Sequence, residues 1–260
     1  MAGVTPSSGT ADLHSPAVWP PGRVLVVAAT FEERVNIDAL VDRVLAADPD
    51  LQLLVVDDDS PDGTGAFALG RAECEPRLHV LVRHGRRGLG GAILEGFDLA
   101  IRHGFEIAVN IDGDLSHDPD DIPRLLTALE PAGGRPADVV VGSRRVPGGR
   151  TVGWPLWRRV VSRLVAAFTR RVVGVPVRDA TSGFRAVRLT TFAALPRPFA
   201  TGYTFLEEML WGMHRAGGRI VEVPITFTNR ARGSSKAGLR EAFFGGWRLL
   251  RLACAARLGG

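Results

Sequence analysis

Lysine is nearly absent from this chain: of 32 basic side chains only Lys236 is a lysine, and the other 31 are arginine. A coding bias accounts for the imbalance itself, so the lone lysine draws attention only where an anionic ligand has to be held. Cysteine is as scarce. Cys74 and Cys254 stand far apart, without metal-ligand spacing, which argues against a disulfide framework or a zinc cluster and suits a reducing compartment. No apolar run approaches the roughly eighteen residues that a membrane-spanning helix needs. Residues 1–22 are rich in Ser, Pro, Gly, Thr and Ala, with neither the basic start nor the apolar core of a signal peptide. They read as a disordered tail.

Several motifs are also missing. Gly88-Leu89-Gly90-Gly91 begins like a dinucleotide fingerprint, but the third glycine position is Ile93 and the run does not follow the first strand. The chain has no G-x-x-x-x-G-K-[ST], no G-x-S-x-G and no Cys/His pairing, so P-loop and covalent nucleophilic chemistry are excluded. The net charge of +4 is modest, and the arginines interleave with apolar helix faces. That pattern does not form the basic stripe with stacking aromatics that nucleic acid requires, so no nucleic-acid partner is expected.

What is present is a regular alternation of strand and helix over a length of 260 residues, enough for one large α/β domain. Apolar, β-branched runs at 23–28, 51–56, 79–83, 107–111 and 138–141 read as strands, and helical periodicities separate them. This order predicts a mostly parallel sheet with crossover helices on both faces. Thr30 is placed to cap the first helix, with Glu33 completing a capping box. Two of the strands end in acid. One runs into Asp57-Asp58-Asp59-Ser60-Pro61-Asp62-Gly63-Thr64, and another into Asp112-Gly113-Asp114-Leu115-Ser116-His117. Ligands of open α/β sheets bind outside the carboxyl ends of the strands, so both clusters face one crevice. Crowded carboxylates resist desolvation unless a cation joins them, and an Asp-x-Asp at a strand tip suits a hard divalent ion that holds a phosphate. His117 reads as a helix-start residue near solvent rather than a ligand.

Beyond residue 145 the character changes. Residues 154–173 carry Trp157, Val160, Val161, Leu164 and Phe168 at helical spacing, with Arg159, Arg163 and Arg170 on another face. Residues 239–258 repeat the theme with Leu239, Phe243, Trp247, Leu250 and Cys254 beside Arg240, Arg248 and Arg251. Arginine faces bordered by Trp and Phe suit helices lying on an anionic membrane surface.

Taken together, the motifs Asp57-Asp58-x-Ser60-Pro61-Asp62-Gly63-Thr64, Asp112-x-Asp114-Leu115-Ser116-His117, Gly142-Ser143-Arg144, Thr181-Ser182-Gly183-Phe184-Arg185 and Arg230-x-x-Gly233-x-Ser235-Lys236 resemble, in order and spacing, those of the polyprenol-phosphate mannosyltransferases. These are inverting family 2 glycosyltransferases of GT-A fold. The resemblance spans about residues 23–240 and includes Gly202-Tyr203-x-Phe205-x-x-Glu208-Met209. It implies a GT-A catalytic domain over 23–240, after the tail at 1–22 and before an amphipathic membrane-surface helix at 241–260.

Residue by residue, the resemblance implies that Ala29, Phe31 and Glu33 meet the base and ribose, and that Val56 and Asp58 continue that pocket. It places Asp112, Gly113 and Asp114 at the diphosphate, with Asp112, Asp114 and Ser116 around a divalent metal, Mg²⁺ or Mn²⁺. Arg144, Arg230 and Lys236 gather at the phosphates, so the sole lysine falls on a phosphate-binding position, and Asp112, Asp114 and Arg144 carry the catalysis. The first loop, Ala29-Thr30-Phe31-Glu32-Glu33, departs from the family's usual Pro-Thr-Tyr-Asn-Glu, and Asp59 replaces a more usual Gly or Asn. No phosphate-facing base or Asp-x-Asp carboxylate is lost, and activity is expected to survive. The implied partners are GDP-mannose, or a UDP-hexose, a polyprenol phosphate and the membrane surface; a separate membrane-anchoring protein stays open as a further partner, since one interfacial helix binds membranes only modestly. The implied place is the cytoplasmic face of the cell membrane, held peripherally. Two other readings stay open: a glucosyltransferase using UDP-glucose, and a degenerate domain serving as a membrane-associated partner.

Overall fold

Continuous Val-, Leu- and Ile-rich runs can be buried on both faces only in the middle layer of a three-layer sandwich. The computed structural model has that form, and it describes residues 11–14, 19–20, 22–85, 88–131, 133–197, 201–202 and 204–229. In chain order its first half comprises β1 (Ala11–His14), β2 (Val24–Thr30), α1 (Ile37–Ala47), β3 (Leu51–Asp57), α2 (Thr64–Ala72), β4 (Leu78–Arg83), α3 (Leu89–Arg102) and β5 (Ile107–Asp112). There follow α4 (Ile122–Leu129), β6 (Val139–Ser143), β7 (Arg150–Val152), α5 (Leu156–Phe168), β8 (Arg185–Arg188), α6 (Leu189–Ala193), α7 (Phe205–Arg215), β9 (Ile220–Pro224) and β10 (Thr226–Thr228).

Among the described residues, eight strands form one sheet in the order β1-β4-β3-β2-β5-β8-β6-β9, and β7 and β10 form a small parallel ribbon. The run from β4 to β5 is parallel, as the alternation of elements predicts. β8 enters antiparallel between β5 and β6, an insertion that the strand-helix pattern does not announce. The period of two splits each inner strand between two cores. Leu25 and Val27 of β2, with Leu54 and Val56 of β3, pack beneath Phe97, Phe192 and Phe205 of α3, α6 and α7. Val24, Val26, Ala28, Leu51, Leu53 and Val55 pack beneath Leu40, Ala68 and Leu125 of α1, α2 and α4. Each Val, Leu or Phe among them contributes about 1.5–3 kcal/mol by leaving water.

Two sequence expectations are corrected. The tail is not wholly irregular: Ala11–His14 pairs with β4, and Trp19 is buried with its ring stacked on His79 at 3.6 Å and on His103 at 4.2 Å. Gln52 ties this plug down by donating to the Pro20 carbonyl at 2.7 Å. Burial, with the charge of His103 behind it, pushes the His79 imidazole down to about 4. Nor does Thr30 cap a helix. It is the last residue of β2, its hydroxyl donates to Asp57 Oδ1 at 2.9 Å, and α1 starts after Asn36 without a side-chain cap. The helix expected within 154–173 is present as α5 and a π-helical turn at Thr169–Val173. The amphipathic helix expected at 241–260 lies outside the described residues.

Candidate active site

Parallel register builds the floor of the crevice. Ala29 lies opposite Val56 on one side and Asp112 on the other, so three residues drawn from separate motifs form one row across β3, β2 and β5. Beyond this row the chain turns sharply, and Glu32, Asp59 and Leu115, one in each turn, take left-handed backbone angles of φ 56°, 54° and 59°. Such strain in non-glycine residues concentrates at ligand-binding turns.

The first acid cluster is a scaffold. Asp57 accepts from Thr30 and from the Ser60 hydroxyl and amide at 2.6–2.9 Å. Asp58 is buried, accepting from Arg83 Nη1 at 2.7 Å and from the Gly88 amide at 2.8 Å. Burial raises the Asp58 pKa while Arg83 pulls against it. Glu95 braces Arg83 from its other side at 3.1 Å. The turn after the acids clamps the first loop. The amides of Glu32, Glu33 and Arg34 donate to the side chains of Ser60, Thr64 and Asp62 at 2.9–3.0 Å. The sequence shows turn chemistry in these residues but not this second duty. Glu33 is itself buried and accepts from Asn36 at 2.7 Å, and Phe31 is half-buried beside it.

The second cluster is built differently. Asp112 keeps 32% of its side chain exposed at the end of β5. Asp114 is buried and accepts from the Ser116 amide at 3.0 Å, and the Ser116 carbonyl accepts from Thr228 of β10. Gly113 packs on Thr30 so closely that a Cβ would come within 2.8 Å of its methyl group. His117 corrects the sequence expectation of a solvated ring. It is 1% exposed, stacked on Phe184 and met edge-on by Phe227, because two aromatics distant in sequence close over it. Burial lowers its pKa, against the pull of Asp112.

Arg144 is also buried, at the end of β6. Asp179 grips it through Nε at 2.8 Å and Nη2 at 2.7 Å, and Thr181 accepts from the same Nη2 at 2.7 Å. Burial alone would raise the Asp179 carboxyl, but Arg144 overrides it and holds it at about 2. Asp179 and its partner Glu222, which accepts the Arg178 and Asp179 amides at 2.8 and 2.9 Å, escaped the motif reading. The signal available was an acid two residues before Thr181-Ser182-Gly183. Next to Arg144 opens a cavity of about 480 Å³ lined by Arg145, Arg150, Trp154, Arg159, Ser162 and Arg163. Arg158 lies over the Trp154 ring at 4.5 Å. Arg230 and Lys236 lie outside the described residues.

No group of three His, Cys, Asp or Glu that could hold a metal ion occurs among the described residues. Asp112, partly exposed at the end of β5, nonetheless offers a hard oxygen donor. Mg²⁺ is commonly bound by one or two carboxylates and takes the rest of its shell from substrate phosphates and water.

A mostly parallel sheet with helices on both faces, acid-tipped strand ends and an arginine-lined cavity give the chain a GT-A-like fold. Residues 25–195 match the family model Glycosyl transferase family 2, and the chain belongs to that family. It is 43% identical over 233 residues to the polyprenol monophosphomannose synthase of Mycolicibacterium smegmatis, covering 87% of this chain and 86% of that one. It is 43% identical over 216 residues to the undecaprenyl-phosphate mannosyltransferase of Micrococcus luteus, covering 82% and 87%. In fold it is similar to glucosyl-3-phosphoglycerate synthase from Mycobacterium tuberculosis, solved with Mn²⁺, UDP and glucosyl-3-phosphoglycerate. The TM-score is 0.63 at 23% identity, over 90% of this chain and 80% of that one.

Proposed function

We propose that this enzyme transfers mannose from GDP-mannose to a membrane polyprenol phosphate with inversion, giving a lipid-linked mannose. The observation that carries the reading is the pairing of two oppositely charged sites. Asp112, Asp114 and Arg144 all lie near enough to His117 to act on its charge, and Arg144 also lines the arginine-rich cavity. This is the arrangement needed to hold a departing diphosphate and an incoming phosphate at once. The names of the two relatives at 43% identity support mannose as the sugar and a polyprenol phosphate as the acceptor.

An oxygen of the acceptor phosphate attacks the anomeric carbon in line, the bond from that carbon to the diphosphate breaks, and GDP leaves. The acceptor is ionised near neutral pH, so no strong general base is required. Ala29, Phe31, Glu33, Val56 and Asp58 shape the nucleoside pocket, with Arg83 fixing Asp58. Asp112, Asp114 and Ser116 would hold Mg²⁺ or Mn²⁺, which supplies charge stabilisation to the leaving diphosphate. Arg230 and Lys236 add to that charge. Arg144 and the arginines of the cavity hold the acceptor phosphate. The lipid tail stays at the membrane, where α5 offers Leu156, Trp157 and Leu164, exposed by 74%, 68% and 65%, beside Arg159 and Arg163. No described helix is long and apolar enough to cross a membrane. We place the protein peripherally on the cytoplasmic face, with a separate anchoring protein as a partner.

The test is transfer of radiolabel into the organic phase from membranes containing polyprenol phosphate, with Mg²⁺ and either GDP-mannose or UDP-glucose. Label from GDP-mannose is the expected result. Label from UDP-glucose alone would replace the donor, and label from neither would overturn the reading.

A further inference from the structure

His117 has no part in the scheme above, yet its setting is built. Neither ring nitrogen has a hydrogen-bond partner among the described residues, although the ring is 1% exposed. Buried polar groups without partners are uncommon in folded proteins, and each asks for an explanation. Phe184 stacks on the ring at 5.2 Å and Phe227 meets it edge-on at 5.0 Å, so its plane and position are fixed. In that position Nδ1 lies 3.6 Å from Asp112 Oδ2.

The opposite side of the same carboxylate is equally fixed. Gly183 lies so close that a Cβ there would come 2.7 Å from Asp112 Oδ1, and the Gly183 carbonyl is pinned by Asn110 Nδ2 at 2.6 Å. Asp112 is thus seated between a pinned backbone and a caged imidazole. The gap on the imidazole side exceeds a hydrogen bond by a few tenths of an ångström.

We propose that His117 is a positioning residue for cation binding. Its Nδ1–H donates to Asp112 Oδ2 when a divalent cation settles on that carboxylate, and so fixes which oxygen faces the ion. The inference rests on the preceding reading of Asp112 as a cation ligand. Carboxylates that hold metals are themselves usually hydrogen-bonded, and loss of such a partner typically weakens metal binding about 10–100-fold.

The experiment is titration of the full-length protein with Mn²⁺ in saturating GDP, followed by electron paramagnetic resonance, with thermal melts alongside. His117→Phe keeps a ring in the cage and removes the donor, so Mn²⁺ binding should weaken about 10–100-fold. His117→Asn returns an amide N–H near the place of Nδ1 and should recover most of that loss. Wild-type affinity in His117→Phe overturns the proposal, and so does an equal loss in both variants. Asp112→Asn separates the two claims. If it binds Mn²⁺ as the wild type does, the cation reading of the site fails; if it alone weakens, only the role of His117 fails. Should the variants not fold, nuclear magnetic resonance of the unmutated protein with isotope-labelled histidine decides. The His117 Nδ1–H signal should move downfield on adding Mg²⁺ and GDP, and an unmoved signal overturns the proposal.

Discussion

At the tip of β3, Asp57 accepts from Thr30 and Ser60, and Asp58 is locked between Arg83 and the Gly88 amide. At the tip of β5, Asp112 remains a third exposed beside a caged histidine, and Asp114 accepts from the turn that carries it. In sequence the two clusters look alike, each an acidic run after a β-branched strand. In space one spends its charge on buried partners and on the neighbouring loop, and the other keeps Asp112 partly open at the end of β5. An acidic run therefore does not disclose its own use. The decisive partners of the first cluster, Arg83 and Gly88, stand 25 and 30 residues from Asp58.

The contrast is strongest in the Asp114→Asn variant. Transfer should fall about a thousandfold or more, because the leaving charge loses its support, while thermal melts stay near the wild type. A matching loss of stability would break the contrast.

Asp58→Asn should lose stability as well as donor binding. It leaves Arg83 buried beside a neutral amide and should cost about 3 kcal/mol in urea unfolding. A double exchange, Asp58→Leu with Arg83→Met, should recover most of that stability and none of the donor binding, read as the KM for GDP-mannose.

A smaller effect comes from pH. The folded His79 pKa is about 4 against 6.5 unfolded, so between these values the unfolded chain binds the extra proton. The His79 contribution to stability should therefore fall by roughly 2–3 kcal/mol as pH drops from about 6.5 to 4. Asp58, whose folded pKa is raised, acts with the opposite sign and favours the folded state as acid is added. Calorimetric melts of His79→Gln should lose the His79 share of the acid response, leaving that of His117, lowered by burial, against the opposing trends of Asp58 and of Glu207, which burial raises to about 7. An unchanged acid response would show that His79 is not its source.

The smallest effect lies in the backbone. Asp59 is exposed at φ 54° and Leu115 half-buried at φ 59°. Asp59→Gly should stabilise by up to about 1 kcal/mol. Leu115→Gly should gain nothing net, because relief of strain is offset by lost packing, and melts of the two variants side by side would tell.

The strands and helices of the first half were legible because their apolar periods run without interruption, and parallel register then brought Ala29, Val56 and Asp112 into one row. What escaped depends on partners far along the chain. Thr30 looked like a helix cap because its strand partner Asp57 is 27 residues away. Trp19 looked like part of a tail because nothing nearby announces the histidines that sandwich it. His117 looked solvated because Phe184 and Phe227 close over it from later elements. Asp179 went unnoticed because the arginine it grips lies 35 residues back.

The antiparallel β8 has a consequence for how the chain emerges during synthesis. β5 is flanked by β2, made long before it, and by Arg185–Arg188, made long after, with the Asn110–Gly183 contact spanning 73 residues. Until that strand leaves the ribosome, the nascent nucleotide half displays an unpaired edge of Ile107–Asp112, a template for pairing with other chains. The crevice is therefore finished late in translation, and chains truncated before residue 185 should be recovered as aggregate rather than as a smaller folded domain.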